Sequence, residues 1–280
     1  MRERSGIMLC YPLSLSRVEK MKSLIVQPKL NGVRARAIKL PSGISVVSST
    51  CREFVGLDYI KREAEVYLAN EPNGSFLDGE LYVHGLDFET IESITSRTVN
   101  APEGKVEFHV FDLVTPANLP LLGRIKLIEG NKDLYEYIRR VSSIKVQVDA
   151  FVKDALSAFA KVWQEAGYEG IVVKNANSFY VQKRSPAWMK YKPYHEDEYT
   201  VLGVYEEYTQ YGEPKGRLGG ISVYDSDNRT FCVGSGLTEE QRTELWKDRG
   251  KALVGKKIKV KYFGLTLRGI PRHPVFVSVV

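Results

Sequence analysis

The sequence predicts an α+β domain followed by a small β-barrel, on three observations. Its 280 residues are enough for two ordinary domains. Up to about residue 193, strand-like apolar runs are interspersed with segments of helical periodicity. Beyond that point, short strand-like runs separated by turns predominate, with one helical segment. We therefore predict one domain at residues 1–193 and a second at residues 194–280.

Helices are predicted where apolar residues recur about every 3.6 residues. The clearest is FVKDALSAFAKVWQEAG, residues 151–167, whose apolar side chains share one face before Gly167 ends the run. Segments 57–69, 87–97 and 123–140 are also predicted to be helical. Strand-like runs in the same domain lie at residues 23–28, 33–40, 75–83, 106–114, 144–148 and 169–174.

The C-terminal segment has a different pattern. One helix, at about 238–249, interrupts short runs rich in β-branched and aromatic residues. These runs lie at residues 197–208, 216–225, 229–236, 256–264 and 273–280. About five strands with one helix in a segment of this length suit a small barrel, such as an oligonucleotide-binding fold.

Composition restricts the class of protein. At 43% hydrophobic and 26% charged residues, the chain is typical of soluble globular proteins. No run of about 18 apolar residues occurs, so we expect no membrane span, and the N-terminal residues do not resemble a secretory signal. Cys10, Cys51 and Cys232 are too widely spaced for a metal-ligand pattern and favour a reducing compartment. We therefore expect a cytoplasmic protein.

Positive charge is concentrated towards the C-terminal end. The whole chain carries a formal charge of +6, whereas residues 249–280 alone carry +8, which leaves −2 for the other 248 residues. That segment has no Asp or Glu, and its basic residues are Arg249, Lys251, Lys256, Lys257, Lys259, Lys261, Arg268 and Arg272. A concentrated basic face favours a polyanionic partner, and a solvated face without a partner is the alternative.

A lysine lies at the mouth of a turn in VQPKLNGVRARA, residues 26–37. Lys29 separates a strand-like run from a turn made by Asn31 and Gly32, and Arg34 follows. One interpretation is a β-hairpin with a solvated lysine. The other is a nucleophile, because a lysine close to other cations loses its proton more readily.

Further charged residues lie on short apolar strands. Glu80 lies in FLDGELYV, Glu169 and Lys174 bracket EGIVVK, and Lys190 and Lys192 alternate in WMKYKP. Alternation places the last two lysines on one face, where a phosphate would offset their repulsion. Two carboxylates on separate strands could hold a hard cation such as Mg²⁺. Each residue alone could be a strand end or a surface edge, but together they predict a nucleotidyl-transfer site.

The ordered motifs resemble those of the covalent nucleotidyltransferase superfamily, and within it the chain resembles ATP-dependent DNA ligases of the minimal phage-like or bacterial type. KLNGVR (29–34) resembles the first motif, Lys-x-Asp-Gly-x-Arg, with asparagine in place of the aspartate. Later motifs are matched by LDGEL (77–81), VFDLV (110–114), EGIVVK (169–174) and WMKYKP (188–193). In the predicted barrel, GRLGGISVYD, FCVGSGLTEEQRTELW and GIPRHPVFV also resemble stretches of DNA ligases, so the resemblance covers nearly the whole chain.

The resemblance implies a fold and an activity. The fold is a nucleotidyltransferase (adenylation) domain of antiparallel sheets and helices, followed by an OB-fold domain. The activity is sealing of 5′-phosphate/3′-hydroxyl nicks in duplex DNA through a covalent lysyl-AMP and a DNA-adenylate. ATP and Mg²⁺, or Mn²⁺, are the expected cofactors and nicked duplex DNA the partner. We expect a monomer in the bacterial cytoplasm or in a phage-infected cell.

By this resemblance, the motif residues have expected roles. Lys29 attacks the α-phosphate of ATP, and Gln27 beside it contacts the adenine edge. Phe111 stacks on the adenine, and Arg34 contacts the ribose or the nick end. Arg52, in SSTCREF, is the basic companion of the first motif. Taken alone, Phe111 could equally be a core aromatic and Arg52 a solvated loop residue.

The remaining roles concern charge. Glu80 bonds the ribose hydroxyl, although beside a glycine it could be a turn residue. The expected metal ligands are Glu169 and Glu80. The residues expected to neutralise phosphate charge are Lys174, Lys190 and Lys192. The residues expected to contact DNA phosphates are Lys256, Lys257, Lys259 and Arg272.

Several alternatives stay open. An RNA ligase of the same superfamily is the main one, because the first domain hardly distinguishes it and RNA-joining relatives tolerate a change at Asn31. A capping guanylyltransferase has a similar plan but uses GTP, and an NAD⁺-dependent ligase needs a dedicated N-terminal domain. A non-catalytic nucleic-acid-binding relative could use the basic barrel, but it has no reason to keep the charged motif residues. Because asparagine keeps the turn and one acceptor oxygen, we expect activity to survive at Asn31.

Overall fold

The computed structural model describes residues 5–96, 104–131, 135–266 and 268–280. The chain divides into two compact units, Met1–Lys192 and Pro193–Val280. That residues 1–193 and 194–280 form independent domains stays a prediction. Within the described residues, no helix is long and apolar enough to cross a membrane.

The first unit contains two five-stranded sheets with helices packed against them. Its elements in chain order are β1 (Leu9–Pro12), α1 (Leu15–Val18), β2 (Ser23–Lys29), β3 (Val33–Leu40), β4 (Gly43–Ser48), α2 (Asp58–Tyr67), β5 (Phe76–Tyr82), α3 (Phe88–Thr95), β6 (Glu107–Val114), α4 (Leu121–Gly130), β7 (Ile138–Arg140), β8 (Ile144–Gln147), α5 (Val152–Glu165), β9 (Gly170–Asn175) and β10 (Arg184–Tyr191). The strand order is β1-β10-β9-β2-β8 in one sheet and β4-β3-β5-β6-β7 in the other.

Strand β2 is covered on both faces, which explains its continuous apolar sequence. Leu24 and Val26 pack into the core that α5 closes on one side of the sheet. Ile25, between them, belongs to the core shared with the other sheet and its helices. A strand buried on both sides needs apolar residues at successive positions rather than alternate ones. Lys29 is the last residue of this strand, and its side chain is 18% exposed.

The α+β prediction is confirmed, and most predicted elements lie within a few residues of the observed bounds. The predicted helix 123–140 is wrong in its second half, because α4 ends at Gly130 and β7 runs parallel to β6. The carboxylate of Glu63 on α2 accepts hydrogen bonds from the backbone amides of residues 136–138 at 2.7–2.9 Å. These long-range bonds hold the segment extended, which local periodicity does not reveal.

Other differences concern short elements and strand direction. The sequence pattern did not predict β1, α1 or β4. The predicted antiparallel arrangement holds for most strand pairs, but β1 with β10 and β6 with β7 are parallel. Two parts of the predicted helices, residue 97 and residues 132–134, lie outside the described residues.

The second unit is a five-stranded sheet wrapped around its own core. Its elements are β11 (His195–Tyr208), β12 (Pro214–Tyr224), β13 (Thr230–Val233), α6 (Glu239–Leu245), a 3₁₀ turn (Lys251–Leu253), β14 (Lys257–Tyr262) and β15 (Val275–Val279), in the sheet order β13-β12-β11-β14-β15. Ile258, Val260 and Tyr262 of β14 are buried, and the lysines between them face outward. Among the described residues, the sheet edges meet at one bridge between Ser235 and Val275. This bridge is isolated and Ser235 lies beyond the end of β13, so within the described residues the sheet does not form the closed barrel that the sequence pattern predicted.

Candidate active site

Lys29 is the last residue of β2, and Glu169 immediately precedes β9, the strand that pairs with β2. The two residues therefore lie side by side. Lys29 pairs with Gly170 of β9, and its carbonyl accepts a hydrogen bond from the Glu169 amide at 3.0 Å. This register brings the side chains together, with 2.5 Å between Lys29 Nζ and Glu169 Oε2. The other carboxylate oxygen of Glu169 accepts a hydrogen bond from Lys192 Nζ at 2.7 Å. One carboxylate therefore lies between two ammonium groups.

Neighbouring charges set the protonation of these groups. Burial lowers the pKa of Lys29, but the carboxylates of Glu80 and Glu169 outweigh it and the net pKa is raised above its ordinary value. Burial raises the pKa of Glu169, but Lys29 and Lys192 outweigh it and the net pKa is lowered. Burial and the nearby Lys29 lower the pKa of Lys192. Lys29 is thus an ammonium group in the ligand-free protein, and it must lose a proton before it can attack.

The turn after Lys29 packs tightly against β5. A Cβ on Gly32 would lie 2.5 Å from the carbonyl oxygen of Leu81, so only glycine allows this approach. The Gly32 amide then donates a hydrogen bond to Glu80 Oε2 at 3.0 Å. Burial raises the pKa of Glu80, against the opposing charges of Lys29 and Arg34. Glu80 is in this way fixed to the turn that follows the lysine.

Lys174 on β9 is almost completely buried, with 1% of its surface exposed. Its Nζ lies 3.8 Å from the centroid of the Trp188 ring and 4.4 Å from that of Phe111, within cation–π distance. Among the described residues, it donates one hydrogen bond, to the Phe111 carbonyl at 3.3 Å. Burial lowers the pKa of Lys174 to about 8, with Asp112 opposing. The remaining ammonium donors are available for an anion.

The hydrogen bonds of Arg34 stay within the protein. Its Nε and Nη2 donate to the Asp78 carboxylate at 2.7 and 2.6 Å, and Nη2 also reaches the Met8 carbonyl at 3.2 Å. Asp78 is fully buried and also accepts a hydrogen bond from the Tyr180 hydroxyl at 2.6 Å. The Arg34 guanidinium carbon lies 4.6 Å from the centroid of the Phe111 ring. Arg34 thus stabilises the wall of the site, and its contact with a ribose or nick end stays a prediction.

Gln27 lies two residues before Lys29 on β2, and alternation places both side chains on one face. Gln27 is 2% exposed. Its Nε2 donates to the Phe111 carbonyl at 3.1 Å and to the Ser143 hydroxyl at 2.8 Å. The Phe111 ring is contacted by the cations of Arg34 and Lys174, and its stacking on adenine stays a prediction.

Two of the predicted site residues, Lys190 and Arg52, are exposed, unlike the residues around Lys29. Lys190 is exposed on β10 and makes no hydrogen bond or ion pair with any described residue, but its charge contributes to the lowered pKa of Lys192. Arg52 is exposed in the loop after β4, where its backbone pairs with Ser48. Its side chain has no hydrogen-bond or ion-pair partner within the described ranges. The structure thus brings Lys190 near the cluster and does not bring Arg52 into it.

Comparisons with known proteins decide the family. Residues 8–192 match the family model of the ATP dependent DNA ligase domain. The chain belongs to the ATP-dependent DNA ligase family. Residues 211–279 match the model of the DNA ligase OB-like domain, which confirms the predicted OB fold of the second unit.

Individual relatives agree with this assignment. The DNA ligase of African swine fever virus is 31% identical to this ligase-family chain, over 88% of the chain and 61% of the viral protein. The chain therefore spans about three fifths of the length of that relative. The DNA ligase of Haemophilus influenzae is 28% identical over 71% of the chain and 70% of the bacterial protein. A solved structure from a study of DNA binding with a minimal scaffold in Lig E DNA ligases has the same fold, with a TM-score of 0.72, 24% identity, and 98% and 99% of the two chains covered.

Sequence reasoning missed Asp78, Tyr180, Trp188 and Ser143 of this ligase-family site. Asp78 lies within the quoted stretch FLDGELYV, where a carboxylate on an apolar strand is the same signal that indicated Glu80. Trp188 contacts Lys174 on the adjacent strand β9 and Phe111 on the other sheet, and the remaining two bond residues far along the chain. The Tyr180 hydroxyl bonds a carboxylate 102 residues away, and Ser143 bonds an amide 116 residues away. No local pattern predicts such pairs.

The predicted DNA-contacting residues of the second unit lie on and beside β14. Lys256 and Lys257 are exposed, and Lys257 Nζ lies 3.4 Å from Glu198 Oε2 on β11. Lys259 faces outward from the same strand, in register with Glu198. Arg272 is partly buried in the segment before β15. The acidic start of β11 therefore offsets part of the charge of the basic strand.

Proposed function

We propose that this chain is an ATP-dependent DNA ligase that seals 5′-phosphate/3′-hydroxyl nicks in duplex DNA. The observation that carries the proposal is the cluster of Lys29, Glu169 and Lys192, with the buried Lys174 on the strand beside it. The cluster places the Lys29 amine beside further lysines that could hold a phosphate within its reach, and the amine can attack once it has lost its proton. Membership of the family and the named viral and bacterial ligases support nick sealing as the reaction.

The proposed reaction has three steps. Lys29 Nζ, once deprotonated, attacks the α-phosphorus of ATP, so that a P–N bond forms as the bond to pyrophosphate breaks. The AMP then passes from Lys29 to a DNA 5′-phosphate, and the lysine amine is released. Finally the neighbouring 3′-hydroxyl attacks that phosphate, the phosphodiester forms, and AMP leaves.

The residues around Lys29 would position the nucleotide and neutralise its charge rather than take part in bond formation. Gln27 and Phe111 would contact the adenine, and Glu80 the ribose hydroxyl. Lys174 would meet the α-phosphate from inside the site. The residues proposed for the outer phosphates and the nick end are Lys190, Lys192, Arg34 and Arg52.

A divalent cation, Mg²⁺ or Mn²⁺, is proposed as the metal. Among the described residues, no group of three or more His, Cys, Asp or Glu side chains is arranged to hold one. Glu169 and Glu80 nevertheless offer carboxylate oxygens beside Lys29, and Mg²⁺ commonly takes one or two carboxylates together with substrate phosphates. The donor set therefore fits a cation that arrives with the nucleotide. Bound there, it would supply positive charge against the triphosphate and beside Glu169.

We further propose that the second unit contacts DNA phosphates through Lys256, Lys257, Lys259 and Arg272. The Lig E study, which concerns DNA binding by a ligase of similar fold, supports this role. Each phosphate contact should steepen the fall of log affinity with log salt by about 0.9. The Lys256→Ala and Lys259→Ala variants should therefore show shallower slopes for a nicked duplex. A salt-independent affinity in the unaltered protein would contradict the proposal.

The reaction is tested by end-joining on two matched substrates, a nicked DNA duplex and a nicked RNA duplex, each with a 5′-phosphate, ATP and Mg²⁺. We expect sealing of DNA, loss of sealing in Lys29→Ala, and unchanged sealing in Lys22→Ala, which alters an exposed lysine just before β2. Sealing mainly of RNA would make the chain an RNA ligase. Sealing of neither substrate, with no lysyl-AMP formed, would favour a non-catalytic nucleic-acid-binding relative.

Two broader expectations stay predictions. A cytoplasmic location rests on composition and on Cys10, Cys51 and Cys232, all of which are free thiols. A monomeric state rests on the resemblance to minimal ligases. Light scattering of the purified chain tests the monomer directly.

A further inference from the structure

The side-chain amide of Gln27 is oriented by the groups that surround it. Its Nε2 lies 3.1 Å from the Phe111 carbonyl oxygen and 2.8 Å from Ser143 Oγ. A carbonyl oxygen can only accept a hydrogen bond. The Ser143 hydroxyl donates its own proton to the Val141 carbonyl at 3.3 Å, so its oxygen is left to accept from Gln27.

Both neighbours are therefore acceptors, and only the NH₂ end of the amide can face them. The reverse orientation would place Gln27 Oε1 against two oxygens, and neither of those oxygens would receive a hydrogen bond from the amide. The oxygen end is consequently directed away from Phe111 and Ser143. Within the described residues, Oε1 accepts no hydrogen bond.

The free oxygen lies on the functional face of the site. Gln27 and Lys29 are separated by one residue on β2, so their side chains leave the strand on the same side. A ligand base bound beside Lys29 would therefore meet a fixed acceptor. The 6-amino group of adenine is a donor that matches it, whereas the 6-oxo group of hypoxanthine or guanine presents a second acceptor.

We propose that Ser143 is a positioning residue that holds Gln27 with its amide oxygen towards the base, so that the degree of discrimination between 6-amino and 6-oxo purine nucleotides depends on the Ser143 hydroxyl. The inference rests on the proposed adenylylation of Lys29. A site built to hydrogen-bond a substrate group rejects analogues that lack it, because its own buried polar atom is then left unpaired. Ser143 would act through its contact with Gln27.

The test compares kcat/KM for formation of the Lys29 adduct with ATP and with inosine triphosphate. We expect the unaltered protein to prefer ATP by roughly a hundredfold or more. Ser143→Ala removes one of two acceptors that orient the amide, so the preference should fall by about tenfold. Ser143→Thr keeps a hydroxyl and should restore the preference. Ser142→Ala is the matched control, since Ser142 is exposed and makes no side-chain hydrogen bond with the described residues.

A second variant tests whether the orientation of the Gln27 side chain matters, or only the presence of a hydrogen-bond acceptor at this position. Gln27→Glu keeps an acceptor for the 6-amino group but places a carboxylate oxygen against the Phe111 carbonyl, where a donor is needed. We expect it to use ATP more poorly than the unaltered protein. Melting temperatures of all variants, measured together, show that the proteins remain folded.

The outcomes distinguish the two proposals. If the unaltered protein forms the Lys29 adduct and Ser143→Ala retains its full preference for ATP, the inference about Ser143 is wrong and the ligase proposal is unaffected. If Gln27→Glu improves the use of ATP, the orientation argument is also wrong. If no adduct forms on Lys29 with either nucleotide, the ligase proposal fails and this inference fails with it.

Discussion

The Nζ of Lys29 and the Oε2 of Glu169 are 2.5 Å apart, and Lys192 holds the other oxygen of the same carboxylate at 2.7 Å. The pair stabilises the charged form of the proposed nucleophile. In the ligand-free protein the proposed nucleophile is thus in its unreactive, protonated form. Two consequences of this relationship can be measured.

The rate of lysyl-AMP formation should rise with pH. Because the pKa of Lys29 is raised, most molecules carry an ammonium group at neutral pH, and the reactive fraction grows about tenfold per pH unit below that pKa. Glu169→Gln removes a charge that raises this pKa, so the rising limb should move to lower pH while the maximal rate falls. Rapid-quench measurement between about pH 7 and 11 checks both effects, because the rate of the variant should level off at lower pH than that of the unaltered protein.

The matched control for that experiment is Glu165→Gln, at the exposed end of α5. It removes one negative charge without altering the ion pair, so its profile should follow that of the unaltered protein. A rising limb that stays in place in Glu169→Gln, or moves to higher pH, would show that the ion pair does not control the nucleophile.

Asn31→Asp should change the rate by less than about tenfold, and towards slower reaction at neutral pH. Asn31 makes no side-chain hydrogen bond with any described residue, so no existing contact is lost. An added carboxylate two residues from Lys29 would favour its ammonium form further. Single-turnover labelling with ATP measures the effect, with Asn70→Asp at an exposed position as control. An increase by orders of magnitude would instead mean that the asparagine impairs the enzyme.

The sequence could predict the parts of the site that depend on neighbours along the chain. Lys29 lies at the end of an apolar strand and before a turn that requires Gly32, and both features are local. Glu169 and Lys174 bracket another apolar run, and antiparallel pairing of the two strands brings Glu169 to Lys29 and places Lys174 opposite Ile25. Short, strongly patterned strands therefore predicted the central cluster.

The remaining parts depend on contacts that no local pattern contains. Arg34 and Asp78 are 44 residues apart, and the strand pairing that joins them is not visible in either segment alone. Strand β1 has only four residues and is defined by parallel pairing with β10, far along the chain. Strand β7 was mistaken for helix because Glu63, on another element, fixes the segment before it.

The Asp78 pair should be more important for stability than for chemistry. Asp78→Ala leaves a largely buried guanidinium without its carboxylate and should lower the free energy of unfolding by about 3–5 kcal/mol. Tyr180→Phe removes a hydroxyl that accepts from the Met8 amide and donates to Asp78, and should cost about 1–3 kcal/mol.

Urea unfolding of the two variants tests this order. Tyr191→Phe is the control, because the hydroxyl of that partly buried tyrosine has no hydrogen bond with the described residues. It should change the free energy of unfolding by much less than Tyr180→Phe. Equal effects of the two tyrosine substitutions would show that the hydroxyl of Tyr180 contributes nothing to the buried network.

Lys174→Met should produce a protein that is more stable and less active near neutral pH. The pKa of Lys174 is lowered from its ordinary 10.5 to about 8, which means that the folded state disfavours its charge. Between these values the unfolded chain binds more protons than the folded one, so the stability of the unaltered protein rises with pH in this window. A methionine of similar shape carries no such penalty. It also removes the proposed phosphate contact, so lysyl-AMP formation should fall by about a hundredfold or more.

Melting temperatures measured from about pH 6 to 10 decide the matter. The advantage of Lys174→Met should be greatest below pH 8 and shrink as the pH rises above it, because the unaltered lysine then becomes neutral in the folded protein. Lys145→Met, at an exposed position on β8 of the same sheet, should show no such dependence. If Lys174→Met is less stable at every pH, the prediction is wrong. The aromatic contacts with Trp188 and Phe111 would then compensate the charge of Lys174, and its burial would not destabilise the protein.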